Sequence, residues 1–177
     1  TVPTATANAA NVTTAGPSSY NFTVTYSDDA AIDVATIGTA DVTVTGPGGF
    51  NATPTSANVN INSNGTPRVV TYSIVPPGGS WDAADNGAYN VVMQANQVAD
   101  TSGNFVVAGN VGGFNVNIGV PTISLGDAQV VEGNSGTTSI SFPVTSSSAP
   151  HASCGFRMSF THGTTNNADF DGTGSQL

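Results

Sequence analysis

Apolar residues in this chain recur at every second position in short runs, and each run is closed by a cluster of Gly, Pro, Asn or Asp. No stretch shows helical spacing. Alternation turns one face of a strand inward and the other to water, and short strands repeated between turn clusters describe an all-β sandwich. After an initial strand at 5–12, Phe22, Val24 and Tyr26 alternate. Val42 and Val44 follow, before the turn Gly46-Pro47-Gly48-Gly49. Val59 and Ile61 predict a short strand ending at Asn62-Ser63-Asn64-Gly65. Val70, Tyr72 and Ile74 are closed by Pro76-Pro77-Gly78-Gly79. Tyr89, Val91 and Met93 lead into a strand running to Val98, and Phe114, Val116 and Ile118 complete a set of about seven strands.

The pattern breaks at Gly119-Val120-Pro121 and restarts with Ile123, Leu125, Ile140, Phe142, Val144, Phe156, Met158 and Phe160. With 177 residues the chain has room for two domains. We read residues 1–119 as one complete sandwich and 120–177 as the opening of a second. The two segments are not copies of one repeat.

Charge narrows the partners. Eleven acidic residues face two Arg and no Lys, a net charge of −9. Such a surface cannot neutralise phosphates, so nucleic acid and anionic membranes are excluded as partners. Cations are compatible with it. No apolar run is long enough for a membrane-spanning helix, so no membrane insertion is expected. Cys154 stands alone, so no internal disulfide forms. A reactive thiol and a small buried apolar residue are both open to it, and no Lys or acid pair stands nearby to activate it. The chain starts at Thr1 without a charged-then-apolar leader and reads as a mature or excised piece.

The segment Asp82-Ala83-Ala84-Asp85-Asn86-Gly87-Ala88-Tyr89 resembles the tyrosine corner of immunoglobulin-like sandwiches, in which a Tyr near the start of strand F bonds back to the preceding turn. Antibody domains carry a Cys two residues after that Tyr. Val91 stands there in this chain. Together with Tyr26-Ser27-Asp28-Asp29, the run 41–47, Gly79-Ser80-Trp81-Asp82 and the run 98–104, the corner makes residues 1–119 resemble the bacterial immunoglobulin-like modules of large surface and secreted proteins. Residues 122–177 resemble the N-terminal half of a Calx-beta domain, through Val131-Glu132-Gly133-Asn134-Ser135-Gly136, Thr161-His162-Gly163-Thr164-Thr165 and Asp169-Phe170. The resemblances imply tandem β-sandwiches, immunoglobulin-like followed by a partial Calx-beta-like one. The second also implies calcium, held at one end by clustered acids, with Glu132 and Asp169 at liganding-type positions. His162 stands where that family usually has Asp, and the chain ends before the family's second acidic cluster.

Calcium takes six to eight oxygens. In an immunoglobulin-like topology the B–C and F–G loops share one end. That places Asp28, Asp29 and Asp33 near Asp100 and Asn104, five oxygen-bearing side chains in all. The same residue types also populate turns without any metal, because they bond their own backbone and tolerate tight dihedrals. Asp82 and Asp85 belong to the opposite end, where the corner already accounts for Asp85. Trp81 admits two roles, a lid on the core or an exposed platform for sugars. His151 and His162 lack the further ligands of a zinc site. No Gly-x-Ser-x-Gly or other catalytic constellation occurs.

The expectation is therefore a non-enzymatic structural or adhesive module of a large secreted or cell-surface bacterial protein. The alternative is an accessory carbohydrate- or ligand-binding module of an extracellular enzyme. Expected partners are neighbouring domains, an extracellular ligand, or other copies of the chain. Residues 122–177 supply about four strands, and strands from another chain or from a longer polypeptide would cover their apolar face.

Overall fold

The computed structural model describes residues 1–131, 135–136 and 138–147. The chain forms two compact units, Thr1–Val120 and Pro121–Leu177. All regular structure among the described residues is β, apart from single 3₁₀ turns.

The first unit has eight strands: β1 Thr4–Asn8, β2 Tyr20–Ser27, β3 Val42–Thr45, β4 Asn51–Ala52, β5 Ser56–Val59, β6 Arg68–Ile74, β7 Gly87–Met93 and β8 Gly109–Val116. They make two antiparallel sheets, in the orders β1-β2-β6-β5 and β4-β3-β7-β8. This is the A-B-E-D and C′-C-F-G arrangement of the immunoglobulin sandwich. The alternation in sequence is the alternation in space. Phe22, Val24 and Tyr26 of β2 and Val70, Tyr72 and Ile74 of β6 are buried against Val42, Val44, Tyr89, Val91 and Met93 of the other sheet.

The outward residues of the first sheet form lateral rows. One runs Asn8, Thr23, Thr71, Asn58, and another Asn21, Ser73, Ser56. No strand of this unit carries a charged residue except Arg68, at the start of β6. The charges gather in the loops at the two ends.

Registers fix which loops share an end. Thr4 pairs with Ser27 and Val42 with Met93, so the chain start, the β2–β3 loop and the β7–β8 loop lie at one end, the loop end. Tyr20 pairs with Ile74 and Gly87 with Val116, which defines the opposite, corner end. After β1 the chain crosses to the other sheet. Val12 bridges Val116 in parallel, with Val12 N–H donating to the Asn115 carbonyl at 2.9 Å and Asn117 N–H to the Val12 carbonyl at 2.8 Å.

Three details differ from the alternation pattern. The strand expected around Val59 and Ile61 is β5, which ends at Val59. Ile61 is 52% exposed. The strand expected to reach Val98 stops at Met93, because Asn96 adopts φ 59° in the turn that follows, a left-handed conformation Asn tolerates. The eighth strand is the two-residue β4. The paired turns Pro47-Gly48-Gly49 and Pro77-Gly78-Gly79 need their glycines, since all four have φ between 63° and 94°.

In the second unit, β9 Ile123–Leu125 pairs antiparallel with β10 Val144–Ser146. Glu132, His151, Cys154, Phe156, Met158, Phe160, His162 and Asp169 lie outside the described residues.

Candidate functional site

The loop end brings together the acids that topology assigned to it. Ile32, fully buried, is the hub. Its N–H donates to the Gly65 carbonyl at 2.9 Å and its carbonyl accepts from Gly65 N–H at 3.2 Å. On its other side Asp33 N–H donates to the Ala99 carbonyl and Thr101 N–H to the Ala31 carbonyl, at 3.0 and 2.8 Å. Three loops are thus tied by backbone bonds, as if by a short additional sheet.

The carboxylates lock these loops from within. Asp100, 2% exposed, accepts from the N–H groups of Ser102 and Asn104, both at 2.8 Å, and from Asn104 Nδ2 at 2.7 Å. The Asn104 amide and these N–H donors hold its carboxyl below the usual carboxylate range. Asn104 therefore turns a donor, not an oxygen, toward Asp100. Asp33 accepts from Ala35 N–H at 3.2 Å and Asp28 from Ala30 N–H at 3.2 Å. The Thr1 ammonium lies 3.0 Å from Asp29, which it holds well below the usual carboxylate range. Among the described residues no group of three or more His, Cys, Asp and Glu is placed to hold a metal ion. Arg68, 8% exposed, donates to the carbonyls of Ser63 and Pro67 at 2.7 and 2.9 Å, stiffening the β5–β6 loop rather than pairing with a carboxylate.

At the corner end, Tyr89 is 2% exposed and its hydroxyl donates to the Asp85 carbonyl at 2.9 Å. Burial, with the Asp85 charge second, pushes its phenol up to about 12. Asp82 and Asp85 form a reciprocal capping box, Asp82 accepting from Ala84 N–H and Asp85 from Asp82 N–H. Gly46 lies against the Tyr89 ring, where a methyl group would overlap it. Tyr89→Phe is expected to cost about 1–2 kcal/mol, through a lost bond and an unsatisfied carbonyl. Unchanged stability in urea would remove the corner from the account.

Trp81 is 1% exposed, so the sugar-platform alternative loses its residue. An open groove of ≈490 Å³ does lie between the two Pro-Gly-Gly turns, lined by Phe50 and Tyr89 among others. Its polar groups, on Asp85 and Tyr89, are already engaged within the corner.

Sequence reasoning missed one polar cluster entirely. Asp41, 1% exposed, accepts from the Tyr72 hydroxyl at 2.6 Å and from Gly38 N–H on both oxygens, at 3.1 and 3.0 Å. Tyr72 and Tyr26 share a hydrogen bond of 2.8 Å, and the Tyr26 hydroxyl reaches Met93 Sδ at 4.0 Å. The chain of groups runs from one sheet to the other through the core. Burial, opposed by the Tyr72 and Gly38 bonds, raises the Asp41 carboxyl above its ordinary value. Position 41 beside a Val-Thr-Val-Thr strand, and Tyr at inward positions of two strands, were the only signals.

No known protein-family model and no curated protein matches the chain. Among solved structures it is similar to the N-terminal part of the bacterial S-layer protein SbsC, at 20% identity and a TM-score of 0.42, over 72% of this chain and 26% of that one. The SbsC fragment 31–844 gives 21% identity and 0.42 over 71% and 15% of the two chains. SbsC domains 1–6 give 20% and 0.42, over 73% and 17%. The chain therefore spans about a quarter or less of each structure it is similar to.

Proposed function

We propose that this chain is a connecting segment of a large secreted or cell-surface bacterial protein. On this reading the first unit is an immunoglobulin-like spacer and the second opens a Calx-beta-like sandwich. One observation carries the proposal. The chain enters the first unit at the loop end and leaves it at the corner end, with the loops at both ends tied down by their own polar groups. A unit built this way adds its full length to an array and holds its shape. Ligand-binding loops, by contrast, come from the least stable parts of a fold.

Amide exchange on the full chain tests this. Ile32, Gly65 and Thr101 are expected to exchange only with global unfolding, like β2 and β6. Rapid exchange at these amides, slowed by a sugar or an ion, would replace the spacer with a binding module. Calcium supplies a second check. If N–H donors alone hold the loops, millimolar calcium leaves the melting temperature unchanged. A rise reversed by chelator and lost in Asp100→Ala would assign an ion to Asp28, Asp29, Asp33 and Asp100, since a ligand of the folded state stabilises by mass action.

A further inference from the structure

We infer that Asn86 is a site of spontaneous deamidation built into the corner end, where conversion of this one side chain undoes the attachment of the segment that follows β8.

Two Asn–Gly pairs occur in the chain, Asn64-Gly65 and Asn86-Gly87. A glycine shields its own peptide nitrogen least, so such pairs cyclise more readily than Asn before a larger residue. The glycine nitrogen gives its proton to solvent base and attacks Asn Cγ. The Cγ–Nδ2 bond breaks, and the nitrogen leaves as ammonia. Water then opens the five-membered imide at one carbonyl or the other, giving Asp or isoAsp, whose backbone is one carbon longer. One water is taken up, one ammonia is released, and nothing is oxidised or reduced.

The fold cannot dispense with the second pair. Gly87 has φ 147°, a conformation that other residues rarely adopt, and a Cβ on it would meet Pro47 Cγ at 2.6 Å. Asn86 grips Ile118 with both ends of its amide. Oδ1 accepts from the Ile118 N–H at 2.7 Å, and Nδ2 donates to the Ile118 carbonyl at 3.0 Å. The ladder of β7 with β8 ends at Gly87 and Val116, so this amide serves as a further rung beyond it. Ile118, 3% exposed, is the last buried residue of the first unit. A primary amide donates and accepts, whereas a carboxylate only accepts. Conversion at Asn86 therefore sets a negative oxygen against the Ile118 carbonyl.

Asn64 differs. Its Oδ1 accepts from the Val34 N–H at 3.0 Å, a bond that a carboxylate makes as well. Conversion to Asp there keeps the contact.

The fold also delays the reaction at Asn86. Ring closure needs the Gly87 nitrogen nearly eclipsed with Cβ. The extended ψ of 132° at Asn86 holds it out of that plane, while Ile118 holds the amide. Both restraints must yield at once, so conversion runs through molecules whose corner end has opened locally. The product cannot rebuild the grip. Each opening that converts is recorded permanently, and the converted unit opens more readily.

The test follows the full chain in mildly alkaline buffer, with and without urea. Trypsin cuts after Arg68 and Arg157, so the two pairs fall in different fragments, 1–68 and 69–157, and mass spectrometry locates the exchange of NH₂ for OH in each. Asn86 is expected to convert at least about tenfold more slowly in the folded chain than in urea, in step with exchange of the Ile118 N–H. Asn86→Asp reproduces the product. It is expected to lower the ratio of folded to unfolded first unit about ten- to a hundredfold and to speed Ile118 exchange, whereas Asn64→Asp matches the wild type. Equal conversion rates with and without urea, or an Asn86→Asp chain as stable as the wild type, would overturn the inference. If Asn86→Asp does not fold, the two rates decide.

Discussion

Trp81→Ala is expected to lose about 3–5 kcal/mol, the cost of deleting a large buried aromatic. The indole is 1% exposed and meets three rings nearly at right angles, Tyr20 at 5.9 Å, Tyr89 at 5.3 Å and Phe114 at 6.0 Å between centroids. Tyr20, Phe114 and Tyr89 stack in sequence at 4.3 and 5.0 Å, so removing the indole opens a void against rings that are themselves held in a stack. A domain of ordinary stability retains little after such a loss. Trp81→Phe should restore much of it. Among the described residues the indole nitrogen has no hydrogen-bond partner, so the smaller ring forfeits volume and no bond. Urea unfolding of the three proteins decides. A loss under about 1 kcal/mol in Trp81→Ala would show that the side chain is not in the core in solution.

The second large effect belongs to Asp41. Asp41→Ala leaves the Gly38 N–H without its acceptor and the Tyr72 hydroxyl with Tyr26 alone, at an expected cost of about 1–3 kcal/mol. Asp41→Asn behaves otherwise. The amide oxygen accepts from Gly38, its NH₂ donates to Tyr72, and Tyr72 turns its proton to Tyr26, so the chain of bonds survives with its direction reversed.

The pH dependence follows from linkage. The folded carboxyl is raised above its ordinary value, chiefly by burial, so the folded state holds a proton that the unfolded state has released. That contribution to stability is complete below the unfolded value of about 4 and is lost as pH rises through the folded value. Asn has nothing to lose. Asp41→Asn should match the wild type near pH 4 and exceed it at pH 7 and above, when both are compared by denaturant midpoint. A difference that stays constant with pH would mean the carboxyl is not desolvated.

Local signals were legible and distant ones were not. Asp85, Gly87 and Tyr89 sit within five residues, so the corner was readable, and the phenol bonds where the motif places it. Inward alternation gave the cores of β2, β6 and β7 because burial itself imposes the period of two. Ile61 misled because an apolar residue before a turn resembles the end of a strand. In the structure Asn60 follows β5 and its side-chain oxygen takes the Val69 N–H, so pairing ends there. Grouping Asp28, Asp29, Asp33 and Asp100 at one end followed from the immunoglobulin-like topology that the resemblance implied. What those carboxylates do there did not, because their partners are loop N–H groups, the Asn104 amide and the Thr1 ammonium, which meet them only in the folded loops. The Asp41 cluster joins residues 31 and 46 apart in sequence, with no motif to announce it.

The strand faces of the first unit consist of Thr, Ser, Asn and small apolar side chains, and the only ion pair among the described residues is the Thr1 ammonium with Asp29. Added salt has little to screen along the flanks, since Coulomb interactions weaken with ionic strength only where charges exist. Brine and fresh water should then differ at the acidic tips and hardly elsewhere. On the spacer reading proposed above, an array of such units would keep its length over a wide range of ionic strength.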